Sequence, residues 1–289
     1  MGLFDIFNKK KEPIVIKKTT TVVNKHTTVA KKKDHKEEDL VNKNIKVETN
    51  ESGFPVSGMC KPRYIDLLVC LDPGHASSTP GKRSPYSACK VEPALDFYEY
   101  KFNREICEKL AKKLSDMGIE VFITTSEKQD GDIDVSLTTR ATRAWNKIKA
   151  SKKKAVFISV HANANGKGSA WDAAKGWSAY TTKGNNISDV FADCFYDEAE
   201  KILNPKKMKI RTDKSDKDRD WEENFTVIYK IEQFSLKNGK PTVPAVLTEN
   251  FFYSNIDDCK YLCSKQGIED IVNIHLNAIL AFAEKEYKM

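Results

Sequence analysis

From residue 65 onward the chain switches between short apolar runs and apolar residues at helical spacing. Residues 65–71 (IDLLVCL) are an almost continuous apolar run that stops at Asp72-Pro73-Gly74, the pattern of a buried strand with an abrupt end. Residues 99–117 place Phe102, Ile106, Leu110, Leu114 and Met117 on one helical face, with Gly118 as the stop. The same reading predicts strands at 119–124, 155–160, 176–181 and 243–248. Helices are predicted at 136–149 and 187–203, and an amphipathic closing helix at 268–286. Such alternation predicts a single α/β domain over residues 65–289, with a largely parallel central sheet flanked by helices. The highly charged segment 204–224 is expected to be an exposed excursion, and no internal repeat is present.

Residues 1–64 differ in kind. Positions 9–52 are rich in Lys, Thr, Glu and Asn and contain no Phe, Trp or Tyr. That composition buries too little apolar surface to offset ordering entropy, so a basic, disordered leader is expected. The chain carries 48 Lys/Arg against 41 Asp/Glu, a net charge of +7. Of this, +6 falls in residues 1–64, which leaves the body nearly neutral. The basicity therefore gives no reason to expect specific nucleic-acid binding by the body. It allows weak contact of the leader with an anionic surface, where Leu3, Phe4, Ile6 and Phe7 precede three lysines.

No stretch approaches the roughly 18 apolar residues of a membrane span. The first residues, MGLFDIFNKKKEP, lack the apolar core of a secretory signal, so synthesis in the cytoplasm is expected. The seven cysteines (60, 70, 89, 107, 194, 259 and 263) are odd in number and form no zinc-knuckle spacing. They read as reduced thiols, with Cys70 and Cys107 in apolar segments and the pair Cys259/Cys263 on a short helix.

Five histidines are present, and two share a context. His75 in VCLDPGH follows the first predicted strand, and His161 in FISVHAN ends another. In an open parallel sheet the carboxyl ends of the strands share one crevice, where two such histidines can converge. A hydrolytic zinc site takes about three nitrogen and oxygen ligands and leaves a position open. Glu99 opens the first predicted helix near that crevice and is the best third ligand, although Glu92 and Asp96 lie close and spacing alone does not decide. Glu249, at the end of the apolar run in PAVLTENFF, is the candidate proton acceptor.

Together DPGH, EYKFN opening a helix, VSLTTRATRAWN, SVHAN and PAVLTENFFYSN resemble the zinc-dependent N-acetylmuramoyl-L-alanine amidases of type 3, over residues 65–286. The resemblance implies that zinc is held by His75, Glu99 and His161, and that Glu249 is the catalytic carboxylate. It thus favours Glu99 over Glu92. It implies as substrate the peptidoglycan amide between N-acetylmuramic acid and L-alanine. Two departures stand out: the 24-residue interval from His75 to Glu99, where family members usually continue DPGH with glycines, and the charged segment 204–224. The interval is expected to form substrate rim, with Lys82 and Arg83 placed to meet peptide carboxylates. TPGKRSP and WDAAKGW resemble the phage endolysin branch. The absence of a signal in a wall enzyme fits a lysin made in the host cytoplasm, or one carried by the virion. Two rivals are another zinc amide hydrolase, a peptidase or deacylase, and a non-catalytic wall-binding protein.

Overall fold

The computed structural model describes residues 64–289 except 214, 216, 217 and 240, together with three two-residue strands nearer the start. The chain divides into two compact units, Met1–Lys61 and Pro62–Met289. In the first, Thr19–Thr20, Glu48–Thr49 and Pro55–Val56 pair antiparallel. The expected disordered leader otherwise lies outside the described residues. Tyr64 belongs to the second unit: its ring is buried and its hydroxyl donates to Glu284 at 2.7 Å.

A six-stranded sheet organises that unit. Its strands are Leu67–Pro73 (β1), Glu120–Ile123 (β2), Lys154–Asn163 (β3), Ser178–Thr181 (β4), Trp221–Glu222 (β5) and Ala245–Phe252 (β6). The spatial order is β2-β1-β3-β6-β4-β5. The first four neighbours in that order run parallel, β4 runs antiparallel to β6, and β5 runs parallel to β4. Every residue of β1 is buried, as expected of a central strand covered on both faces.

Alternate residues of β1 feed two cores. Leu67, Val69 and Leu71 face Glu99–Asp116 (α2), Ile187–Leu203 (α5) and Lys265–Tyr287 (α8), through Ile106, Leu110, Phe191, Ile274 and Phe282 among others. Leu68 and Cys70 face Leu137–Ser151 (α4) and Thr226–Lys237 (α6), through Ala141, Trp145, Ile228 and Ile231. Of these five helices, three have starts capped by side chains: Ser136 for α4, Asn186 in a reciprocal box with Asp189 for α5, and Ser264 for α8.

The structure alters several sequence expectations. Segment 204–224 is not simply an exposed excursion: Ile210 bridges Trp177, Asp220 is fully buried, and Trp221–Glu222 forms the edge strand. Its Arg219 ties it to α5 by reaching Asp193, Asp197 and Glu200. Helix α6 and strand β5 carried no predicted element. Residues His161 and Glu249 lie inside β3 and β6 rather than just beyond them, because the pairing of these strands continues through His161 opposite Glu249. It shifts register only between His161 and Asn163. The six described cysteines are free, with Cys70 and Cys107 buried. Cys259 lies on Ile256–Leu262 (α7), and Cys263 caps it.

Candidate metal centre and active site

After β1 the chain runs to β2 on one side of the sheet, then returns to β3 on the other side of β1. That reversal opens a crevice at the carboxyl ends of β1 and β3. Gly74 donates its N–H to Val160 of β3 at 3.0 Å, so His75 leaves β1 at the level of His161. His75 has φ of 64°, a left-handed conformation unfavourable for a side chain of its size, and it turns the imidazole toward Glu99.

Glu99 comes from the first turn of α2. Its own N–H is held by the Lys82 carbonyl at 3.0 Å, and its side chain is only 1% exposed. The Oε1 atom lies 3.2 Å from His161 Nδ1 and 3.4 Å from His75 Nε2, and accepts the Ala162 N–H at 3.2 Å. One ligand atom from each of the three side chains falls within 4.8 Å of the others. The two imidazoles stand edge to face, with ring centres 4.9 Å apart.

This donor set fits zinc: two imidazole nitrogens and a carboxylate oxygen, with Glu99 Oε2 buried and lacking a hydrogen-bond partner among the described residues. The electrostatics agree. Burial works to raise the Glu99 pKa, but hydrogen bonds and charges of His161 and His75 hold it well below the usual carboxylate range. Burial opposes charge on His161, yet the Glu99 hydrogen bond and charge, with Glu249 and Asp72 adding, raise its pKa. Both shifts express the attraction between the Glu99 carboxylate and the imidazoles beside it.

Glu249 lies opposite His161 in the β3–β6 register. Its Oε2 is shielded and has no hydrogen-bond partner among the described residues. Burial pushes its pKa up to about 7, with the Glu99 charge acting the same way and those of His161 and Lys82 opposing. Glu92 and Asp96 are exposed and outside the centre, Asp96 accepting the Ser87 hydroxyl. The loop between His75 and α2 folds over the helix start through Pro85–Cys89 (α1) and the Arg83–Tyr98 bridge. It brings Lys82 Nζ to 3.9 Å from Glu99 Oε2 and leaves Arg83 exposed.

A surrounding shell was not singled out from the sequence. Asn103 Nδ2 donates to the Gly74 carbonyl at 3.0 Å. Asn250 Nδ2 donates to the His161 carbonyl at 2.9 Å, while its Oδ1 accepts from Trp177 Nε1 at 2.9 Å. Arg140 Nη1 donates to the Pro73 carbonyl at 2.6 Å and lies 3.5 Å from Asp72 Oδ1. Asn103, Arg140 and Asn250 lie within EYKFN, VSLTTRATRAWN and PAVLTENFFYSN, which is the signal available in the sequence. The partner of each is visible only in the fold.

The fold and the site thus define an α/β protein with a His75–Glu99–His161 cluster at the strand ends that could hold a metal ion. The family model described as N-acetylmuramoyl-L-alanine amidase matches residues 69–281, and the chain belongs to that family. Among solved structures, it resembles an N-acetylmuramoyl-L-alanine amidase from Clostridium difficile 630 at 23% identity and TM-score 0.58. That match covers 76% of this chain and 98% of the other. The catalytic domain of CwlV, an amidase from Bacillus (Paenibacillus) polymyxa, matches at 22% identity and TM-score 0.52, covering 75% and 98%. The amidase AmiC2 of Nostoc punctiforme matches at 19% identity and TM-score 0.53, covering 76% and 98%. No curated protein matches the chain in sequence.

Proposed function

We propose that the chain hydrolyses the amide between N-acetylmuramic acid and L-alanine in peptidoglycan, with zinc held by His75, Glu99 and His161. The observation that carries this reading is the placement of three metal-type ligand atoms within 4.8 Å, with the unpaired carboxylate of Glu249 across the register from His161. Zinc, when bound, supplies a Lewis acid for the amide carbonyl and lowers the pKa of water. Glu249 takes the proton of the attacking water at its free Oε2 and passes it to the departing amine nitrogen. Glu99 keeps its charge beside the two imidazoles, and Asn103 and Asn250 hold the Gly74 and His161 carbonyls in place. The proposal includes delivery as a lysin that stays in the cytoplasm until release, a reading supported by the TPGKRSP and WDAAKGW resemblance alone.

The test is digestion of purified peptidoglycan with mass spectrometry of the released fragments. Free stem peptides beginning at L-alanine are expected, and both chelation and Glu249→Gln should reduce their release at least a hundredfold. Cleavage at another amide would assign a zinc peptidase or deacylase. Binding of the wall without release would assign a wall-binding protein.

A further inference from the structure

Beyond the candidate metal centre, toward the far edge of the sheet, lies a cation without a counter-ion among the described residues. The Arg211 guanidinium sits 5.0 Å from the centre of the Phe252 ring and 5.6 Å from that of Trp221. It makes no ion pair and no side-chain hydrogen bond among the described residues. Neither does the neighbouring exposed Lys209 ion-pair there. The pair contrasts with Arg219, eight positions on, which meets three carboxylates.

The backbone holds Arg211 in place. Its N–H donates to the Trp177 carbonyl at 2.8 Å, and the Trp177 N–H donates to the Lys209 carbonyl at 2.9 Å. Trp177 in turn is tied to Asn250, the residue after Glu249. Lys209, Ile210, Arg211, Thr212 and Trp221 line a cavity of about 340 Å³. Tyr180 links this cavity to the centre: it pairs with Trp221 in the sheet, and its hydroxyl feels the charges of both Glu249 and Arg211. The segment carrying Arg211 lies about two strand spacings, roughly 10 Å, from the β6 backbone. That is the reach of about three extended residues.

We propose that this cavity, lined by Arg211, Lys209 and Trp221, is a carboxylate subsite for the peptide half of the substrate, with Arg211 as the residue that reads the charge. A guanidinium stacked between rings has its rotamer fixed and its planar donors free, which suits a carboxylate oxygen pair. Under the amidase reading, on which this inference rests, the lactyl carboxyl is consumed in the scissile amide. Free carboxylates therefore belong to the peptide. The subsite orients the substrate with its peptide toward β4 and β5.

The experiment compares two synthetic N-acetylmuramoyl dipeptides, L-alanine followed by a glutamyl residue whose two carboxyls are either both ionised or both carboxamidated. The wild type should prefer the acid in kcat/KM by about tenfold or more, through KM. In Arg211→Gln that ratio should fall toward one, and Arg211→Lys, which keeps the charge, should restore part of it. An undiminished preference in Arg211→Gln, with a wild-type melting temperature, would overturn the subsite. So would a wild type that shows no preference. If the wild type cleaves neither compound, the amidase reading fails separately, and calorimetric titration of L-alanyl-glutamate decides the subsite. Binding by the wild type that is lost in Arg211→Gln upholds it, and no binding by either refutes it.

Discussion

Gly74 has no room for a side chain. A Cβ at this position would stand inside the imidazole of His161, in contact closer than van der Waals packing allows with Cε1, Nδ1 and Nε2. The imidazole cannot retreat freely, since Glu99 holds Nδ1 and Asn250 holds the backbone carbonyl. The glycine of DPGH is thus required by a close approach across two strands, in addition to any role in the turn. Gly74→Ala should fold but retain zinc at least tenfold more weakly, as seen when residues supporting a metal ligand are disturbed. Metal content after dialysis, read beside the circular dichroism spectrum, checks this. Full zinc occupancy would show that the site relaxes around the methyl group. The left-handed conformation of His75 belongs to the same corner, where the fold sustains local strain to aim a ligand.

Helix α4 acts on the site from the opposite face of the sheet to α2. Its Arg140, only 1% exposed, bonds the Val135 carbonyl at 2.7 Å, the Pro73 carbonyl at 2.6 Å and Asp134 at 2.9 Å. Asp72, also fully buried, accepts the hydroxyls of Thr124 and Ser159 from β2's end and β3. The turn that presents His75 is therefore pinned by three elements. Arg140→Met should cost about 3–5 kcal/mol in urea unfolding, because it leaves the Asp72 charge buried without its cation. Arg140→Lys should recover only a small part, since an ammonium cannot span those carbonyls as the planar fork does. A Met variant as stable as wild type would remove the pinning argument. At this scale the sequence was informative about α2, α4, α5 and α8, whose apolar spacing survives in the structure. It was silent on α6 and β5, where the apolar residues of 221–237 follow a charged stretch and mask the periodicity.

Across the whole molecule the two cores meet the sheet on opposite faces, and one buried histidine reports on the assembly. His275 of α8 donates from Nδ1 to the Ile271 carbonyl at 2.7 Å, and its Nε2 lies 3.0 Å from Thr248 Oγ1 on β6. Burial pushes its pKa down from 6.5 to about 4. Below pH 6.5 the unfolded chain binds a proton at this residue that the folded chain refuses. Stability from this group is complete above pH 6.5 and is lost as the pH falls toward 4, by roughly 3 kcal/mol in all. Urea unfolding at pH 7, 5.5 and 4.5 should show a shallower pH slope in His275→Gln than in the wild type. Equal slopes would assign the acid sensitivity elsewhere.

Five of the six strands, helices α2, α4, α5 and α8, and the candidate residues His75, Glu99, His161 and Glu249 were legible in the sequence, because local periodicity and short motifs are set by neighbours along the chain. Which carboxylate joins the histidines was open on spacing alone. The fold separates Glu99 from Glu92 and Asp96 by burying the first against two imidazoles and leaving the others in solvent. The antiparallel direction of β4, the support from Asn103, Arg140 and Asn250, the demand for glycine at 74, and the placing of Arg211 beside Trp221 and Phe252 were decided only in three dimensions. Each depends on groups tens of residues apart in sequence, and hydrogen-bond satisfaction and steric exclusion act between atoms that only the folded chain brings together.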